Sequence, residues 1–469
     1  MQLFYLLKNE WMLSFVMVVL LIMKVADNGR SHTSWIRIFN GLMLVLCVAG
    51  WLMPTVEGEA FGGMFFSYKA GAFAKNLLCT GTLFIGLIGE DWLKKTRHVV
   101  EFYLLIISTL MGMCFMISAG HMLMFYLSLE LASIPLAAMC NFGFEERRSG
   151  EAAMKLILSS AFSSGLMLMG ISFLYGATGT LSFAQLTLMS SYEPLFIIGF
   201  VLLFTGIVFK LSVVPFHLWT ADVYEGSPAP VTAFLSVISK GAMVMVFAYI
   251  LYHVFGALND VWYTLLYVLS IATMVIGNLF AIRQQNLKRF LAFSSITQIG
   301  YILVGISGSS AEGFTAAMYF IVVYLFSNIV AFGVITHIAS KTGNETIDSY
   351  KGLAKTNPFL AWSMAIALFS LAGVPPTAGF FGKIFLLKAG VGTGNFVLII
   401  VAALNMIVAL YYYLRVIRAM FMDSNENAIQ PLESGLSLRI ALFVCLAGII
   451  LTGFAGSIYE YILNLNVGL

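Results

Sequence analysis

No charged side chain occurs between residues 156 and 192, and apolar runs of the same kind recur along the whole chain. Roughly 20 apolar residues, rising about 1.5 Å each, cross the hydrocarbon core of a bilayer as a helix. Only helices and closed barrels satisfy their own backbone groups in lipid. Barrel strands alternate apolar with polar residues over ten or so positions. The runs here are continuous, so the expected fold is an all-α membrane protein. Charged residues make up 10% of the 469 and hydrophobic ones 60%, where a soluble domain carries about 25% charged. A water-facing globular surface, a disordered chain and a nucleic-acid binder are thereby excluded.

About fourteen transmembrane helices are expected, at approximately 9–25, 38–56, 70–89, 99–118, 121–140, 153–176, 194–218, 229–252, 261–282, 290–306, 313–340, 359–388, 393–414 and 440–463. They are numbered as spans 1 to 14. The connections 1–2, 3–4, 5–6, 9–10, 11–12 and 13–14 hold 18 of the 25 basic residues, and the opposite side holds only Lys8, Lys69 and Lys388. Such alternation requires the parity of the count to be right. Because cytoplasmic loops are the basic ones, both termini are expected on the non-cytoplasmic side. No small-residue cleavage site follows the run 11–23, so it is expected to remain as the first span. Cys47, Cys79, Cys114, Cys140 and Cys445 are scattered through apolar runs. They read as small buried hydrophobes, with no disulfide framework and no metal site.

Removing the loop charges leaves Lys75, Lys210, Lys240 and Lys383 inside spans, with Glu130 in the middle of span 5 and Glu101 near the start of span 4. A charge at the bilayer centre costs at least about 2.5–3.5 kcal/mol and normally faces a protein interior or a wet cavity. Lys75 and Glu101 lie near span ends, where snorkelling or a helix-pinning ion pair accounts for them. Glu130 and Lys240 lie about ten residues from either end, beyond the reach of snorkelling, and are read as functional. Backbone breakers accompany these charges: Pro135 after Glu130, Pro215 after Lys210, Gly241 beside Lys240, and Pro375, Pro376, Gly379 and Gly382 before Lys383. An isolated proline is an ordinary kink. Two interrupted spans, 7 and 12, each with an intramembrane lysine, are the pattern of discontinuous helices lining an ion path.

The chemistry suits protons. Desolvation disfavours an ammonium ion and a neighbouring carboxylate favours it, so a lysine whose carboxylate partner approaches and withdraws can take up and release a proton. Glu130 and Lys210 are the expected pair. Lys240 and Lys383 continue the relay, with water across the longer gaps. His217 and His337 are candidates to join it, although a lone membrane histidine is more often a hydrogen-bonded packing group. Serines at 128, 133, 159, 160, 163, 164, 212, 236, 239, 294 and 295, with Thr297 and Gln298, lie within spans. They suit a hydrated path or helix–helix hydrogen bonds alike.

The stretch KLSVVPFHLWTADVYEGSPAPVTAFLSVISK (210–240), with LKRFLAFSSITQIGY (287–301) and AGVPPTAGFFGKIFLL (372–387), resembles the antiporter-like membrane subunits of respiratory complex I, the NADH–quinone oxidoreductase. The resemblance covers nearly the whole chain, strongly from about 120 to 420. Ala221 departs from the proline often found before Asp222. The resemblance implies an antiporter-like fold with two inverted five-helix repeats, at 99–252 (helices 4–8) and 261–420 (helices 9–13). A three-helix segment at 1–98 and a C-terminal helix at 421–469 flank them. It also implies proton-relay roles for Glu130, Lys210, Lys240 and Lys383. Within the family, Lys383 and the short end after span 14 match the subunit N type, where subunits M carry Glu and subunits L a lateral helix. The implied location is a bacterial inner membrane, with other membrane subunits of the complex as partners. FMN, iron–sulfur clusters and the NADH site are expected in partner subunits, since this chain has neither a Gly-rich dinucleotide fingerprint nor a cysteine cluster. The competing readings are a subunit of a multi-subunit cation/proton antiporter and a purely structural membrane subunit.

Overall fold

The computed structural model describes residues 2–27, 29–144, 146–189, 192–392, 394–425 and 428–465. Among these, twelve helices are long and apolar enough to cross a membrane. The protein is therefore a multi-pass, all-α membrane protein. Two further expected spans take other forms. Span 1 is the helix Lys8–Val25, which carries Lys8, Glu10 and Lys24. Span 12 is split into Pro358–Ala372 and Ala378–Val391. The one sheet among the described residues is a hairpin, Gly58–Ala60 against Phe65–Ser67, between spans 2 and 3.

Span 10 (Leu287–Ser307) is buried along its whole apolar window, and spans 3 (Lys69–Ile88), 8 (Ala229–Val254) and 11 (Ala311–Thr342) are buried over most of theirs. These four form the centre. Spans 13 (Phe396–Phe421) and 14 (Leu436–Phe454) bury a third of theirs and form part of the outside. Lipid is as apolar as leucine, so helices in it associate by close packing of small residues and by polar contacts. Span 6 (Arg147–Thr178) meets the first piece of span 7 (Pro194–Leu211) in this way. A Cβ on Gly170 would stand 2.7 Å from the Gly199 carbonyl oxygen.

Both discontinuities occur where the sequence places them. Span 7 stops at Leu211 and resumes as Leu218–Gly226. The backbone groups freed there find protein partners: the Val214 N–H donates to Thr273 Oγ1 at 3.1 Å, and Trp219 Nε1 donates to the Phe209 carbonyl at 3.3 Å. In span 12 the turn is made by Gly373 at φ +85°, a conformation glycine adopts at no steric cost. Pro135 is different: the helix Met122–Cys140 (span 5) runs through it. A proline inside a helix forfeits one hydrogen bond and crowds one carbonyl, while the flanking turns keep theirs. Pro135 is therefore not a helix break. Span 8 departs from α geometry in a π-helical turn, Leu235–Ser239, that ends just before Lys240; such turns recur at functional sites.

Candidate functional site: a buried polar track

The expected Glu130–Lys210 ion pair does not form directly; hydroxyls stand between the two groups. Ser164 Oγ donates to Glu130 Oε1. Lys210 Nζ donates to Ser160 Oγ at 2.5 Å and to Ser133 Oγ at 2.8 Å. Ser160 and Ser164 lie one turn apart on span 6, and Ser133 lies one turn from Glu130 on span 5, so two helices present carboxylate and ammonium to one hydroxyl cluster. An enclosed cavity of about 30 Å³ adjoins it, lined by Ser133, Ser160 and Lys210 on one side and by Ser239 and Lys240 on the other. A water needs about 10–15 Å³ by this measure, so the gap between the two lysines accommodates bridging water.

Lys240 is buried at the bundle centre. Its Nζ donates to Ser295 Oγ at 2.8 Å and lies 5.4 Å from the Tyr224 ring centroid. Span 10 carries the track onward. Ser294 Oγ and Tyr413 Oη are 2.5 Å apart, and Gln298 Nε2 donates to Tyr413 Oη at 3.1 Å and to the Leu371 carbonyl at 3.0 Å. That carbonyl also receives Lys383 Nζ at 2.7 Å, and the Ala372 carbonyl receives it at 3.1 Å. These oxygens end the first piece of span 12, where carbonyls lack intrahelical partners and the helix dipole is negative. The Tyr301 ring lies 4.9 Å from Lys383 Nζ. Gln298 Oε1 and Tyr301 Oη are buried without a hydrogen-bond partner among the described residues. Such orphans mark places that accept ordered water.

All four expected relay residues thus lie on one track. The two histidines stand apart from it. His217 sits buried in the span 7 break, its ring centroid 6.3 Å from that of Phe280. His337 meets Asp91 at the end of span 11, Nδ1 to Oδ2 at 2.8 Å, and holds the Asp91 carboxyl below the usual carboxylate range. Lys75 is a helix-pinning pair, donating to Glu10 on span 1 at 2.5 Å and to Ser118 at 2.5 Å. Glu101 is a surface group 3.6 Å from Lys24.

Tyr413 escaped the sequence reading, and so did the cluster at the basic-side end of spans 6, 7 and 10. There Asp222 pairs with Lys155 and Arg289, each at 2.6 Å, and Glu225 with Arg289 at 3.0 Å. Arg148 and Glu151 complete a polar recess of about 240 Å³. Ser159 and Ser160 lie about one turn deeper along span 6 than Lys155.

The family model for "NADH:quinone oxidoreductase/Mrp antiporter, TM" matches residues 119–409, which contain Glu130, Lys210, Lys240 and Lys383 and every other residue of the track except Tyr413. The chain is similar to the NADH-quinone oxidoreductase subunit N of Azobacteroides pseudotrichonymphae, 43% identical with 96% of each chain covered. In structure it is similar to a chain of respiratory complex I from Thermus thermophilus with bound aureothin (26% identity, TM-score 0.81, 96% of this chain and 97% of that one). It is also similar to a chain of the Mrp complex from Dietzia sp. (21% identity, TM-score 0.83, 98% and 97%), a likeness of fold alone.

Proposed function

The chain belongs to the NADH-quinone oxidoreductase subunit N family, and on that premise we propose that its buried track carries protons. It is a proton-translocating membrane subunit of the respiratory NADH–quinone oxidoreductase, driven by redox chemistry in other subunits of a multi-subunit complex. The observation that carries the relay is the shared cavity: Lys210 and Lys240 line the same enclosed space, and Lys240 continues through Ser295 onto the polar face of span 10.

A proton enters from the recess at Lys155 and Asp222 and reaches Lys210 along the span 6 serines. Ser133 and Ser160 both accept from the ammonium; on loss of the proton Ser160 can donate to the single lone pair of the neutral amine, whose remaining N–H groups still serve Ser133, so Lys210 keeps its partners in both states. Glu130, held by Ser164 one turn along span 6 from Ser160, stabilises the charged state. Water in the cavity passes the proton to Lys240. Ser294 and Tyr413 extend the path toward Lys383, while Gln298 fixes the Tyr413 oxygen and the Leu371 carbonyl in place. On this reading spans 4–8 and 9–13 are two inverted repeats, flanked by residues 1–98 and 421–469. The basic loops face the cytoplasm of a bacterial inner membrane, both termini face away from it, and FMN and iron–sulfur clusters reside in partner subunits. The Mrp likeness supports the cation/proton antiporter alternative only at the level of fold. Adjacent genes for peripheral NADH- and iron–sulfur-binding subunits separate the two.

The test is Lys210→Ala and Lys240→Ala in the assembled complex, reconstituted into vesicles with a pH-sensitive dye. Pumping is lost while assembly persists. Wild-type pumping in both variants excludes the relay and returns the chain to a structural role.

A further inference from the structure

A groove on the outer face between spans 12 and 14 belongs to none of this machinery. It encloses about 710 Å³ at the end of the bundle that bears the basic loops. Its floor is apolar: Phe359 and Leu360 from the first piece of span 12, and Ile440, Phe443 and Val444 from span 14. Phe359, Ile440 and Phe443 are exposed in the chain by itself, Phe443 to 70%, so the floor faces outward. The rim is polar, with Arg439 lining it from the first turn of span 14. The Arg439 side chain takes part in no ion pair or hydrogen bond among the described residues. Neither Asp423 nor Glu433, the described acidic residues of the adjoining loop, is among the lining residues. Asn357 fixes the wall opposite: its Nδ2 donates to the Gln430 carbonyl at 3.1 Å and its Oδ1 accepts from the Leu432 N–H at 2.7 Å.

We propose that this groove binds one anionic phospholipid, its phosphate on Arg439 and an acyl chain along Phe359, Ile440, Phe443 and Val444. The order of the chemistry carries the assignment. A cation stands at the mouth, and five residues deeper, about 7.5 Å along the helix, the lining is wholly apolar. That is the distance from headgroup phosphate to the start of the acyl region. Guanidinium binds phosphate oxygens through two parallel hydrogen bonds, and an otherwise unengaged arginine gives up no protein partner to do so. A free phosphate leaves the floor uncovered. A zwitterionic lipid brings its own cation against Arg439.

The experiment uses the whole complex with a phosphatidylglycerol bearing a photoactivatable acyl chain, and maps crosslinks to peptides by mass spectrometry. Labelling is expected at 358–362 and 439–444, competed by unlabelled phosphatidylglycerol but not by phosphatidylcholine or inorganic phosphate. Arg439→Gln is expected to cut that labelling about fivefold, the weight of one basic residue at an anionic surface, with Arg439→Lys in between. Val444→Trp, which fills the floor, abolishes it with the arginine intact. Unchanged labelling in Arg439→Gln, equal competition by phosphatidylcholine, or a groove that stays unlabelled in the assembled complex because protein covers it would each overturn the proposal.

Discussion

Gly379 sets how closely the two pieces of span 12 approach. A Cβ on it would stand 1.7 Å from the Ser370 carbonyl oxygen, where ordinary contact begins at 3.4 Å. Gly379→Ala must therefore open the gap by 3.4 − 1.7 = 1.7 Å. The obstacle is backbone, which cannot rotate aside. Lys383 lies four residues on, on the same face of the same piece, so its ammonium moves with the helix. Bonds of 2.7 and 3.1 Å to the Leu371 and Ala372 carbonyls stretch to about 4 Å or more, beyond a hydrogen bond. Each charge-assisted bond contributes about 1.5–3 kcal/mol, so losing both depletes the held state of Lys383 about 100-fold or more. We expect Gly379→Ala to assemble, to keep NADH oxidation with a soluble electron acceptor, and to pump at about a tenth of the wild-type rate or less. Gly382→Ala is the control on the same helix: its Cβ meets the Phe320 ring at 2.9 Å, a side chain that can yield, so pumping drops little. Native gels establish assembly and dye quenching reports pumping. Wild-type pumping by an assembled Gly379→Ala complex would refute the claim that Lys383 works from its seat on these carbonyls.

Two further perturbations probe the track and the clamp beside it. Tyr413→Phe removes the hydroxyl shared by Ser294 and Gln298, costing about 1–2 kcal/mol and slowing pumping about 5- to 30-fold. Tyr412→Phe, whose hydroxyl serves Asn278 instead, leaves the rate near wild type, and equal effects in the two variants would dismiss Tyr413 from the path. Glu10→Gln or Lys75→Met strands a buried charge and is expected to destabilise the chain by about 3–5 kcal/mol, whereas Glu10→Leu with Lys75→Met together restores most of the loss. Thermal melting of the complex reads the difference, and a double variant as unstable as the worse single one contradicts a purely structural pair.

The membrane fold and the four intramembrane charges, Glu130, Lys210, Lys240 and Lys383, were legible because each rests on a local quantity: the length of an apolar run, or a charge too deep to reach water. Both interrupted spans were legible because helix breakers accompany an intramembrane lysine, Pro215 after Lys210, and Pro375, Pro376, Gly379 and Gly382 before Lys383. Pro135 was misread because a lone proline looks the same in sequence whether the helix kinks or stops. What crosses between helices was not legible. Tyr411, Tyr412 and Tyr413 follow one another at about 100° around the helix axis, so composition cannot say which faces inward. In the structure Tyr411 is 62% exposed while Tyr412 and Tyr413 are buried. The Glu130–Lys210 prediction identified the two charges, and Ser133, Ser160 and Ser164 were noted within the spans, but their place at the two charges was not legible for the same reason, since partnership depends on how spans 5, 6 and 7 rotate against one another.

The two interrupted spans hold their lysines by different means, and the difference bears on direction. Lys210 is held by hydroxyls, which exchange donor and acceptor roles, so its seat tolerates loss of the proton without rearrangement. Lys383 is held by carbonyls, which only accept, at the negative end of a helix. That seat favours the lysine with its full set of N–H donors. On the proposed relay, a proton passes through Lys210 with the structure at rest, whereas the Leu371 and Ala372 oxygens stabilise the Lys383 ammonium and oppose its release. The turn at Gly373 and the close approach at Gly379 set the distance between those oxygens and the second piece of span 12. On the proposed relay, movement at that break weakens this hold and is where an outside driving force couples, while the Lys210 end needs only water and a proton supply.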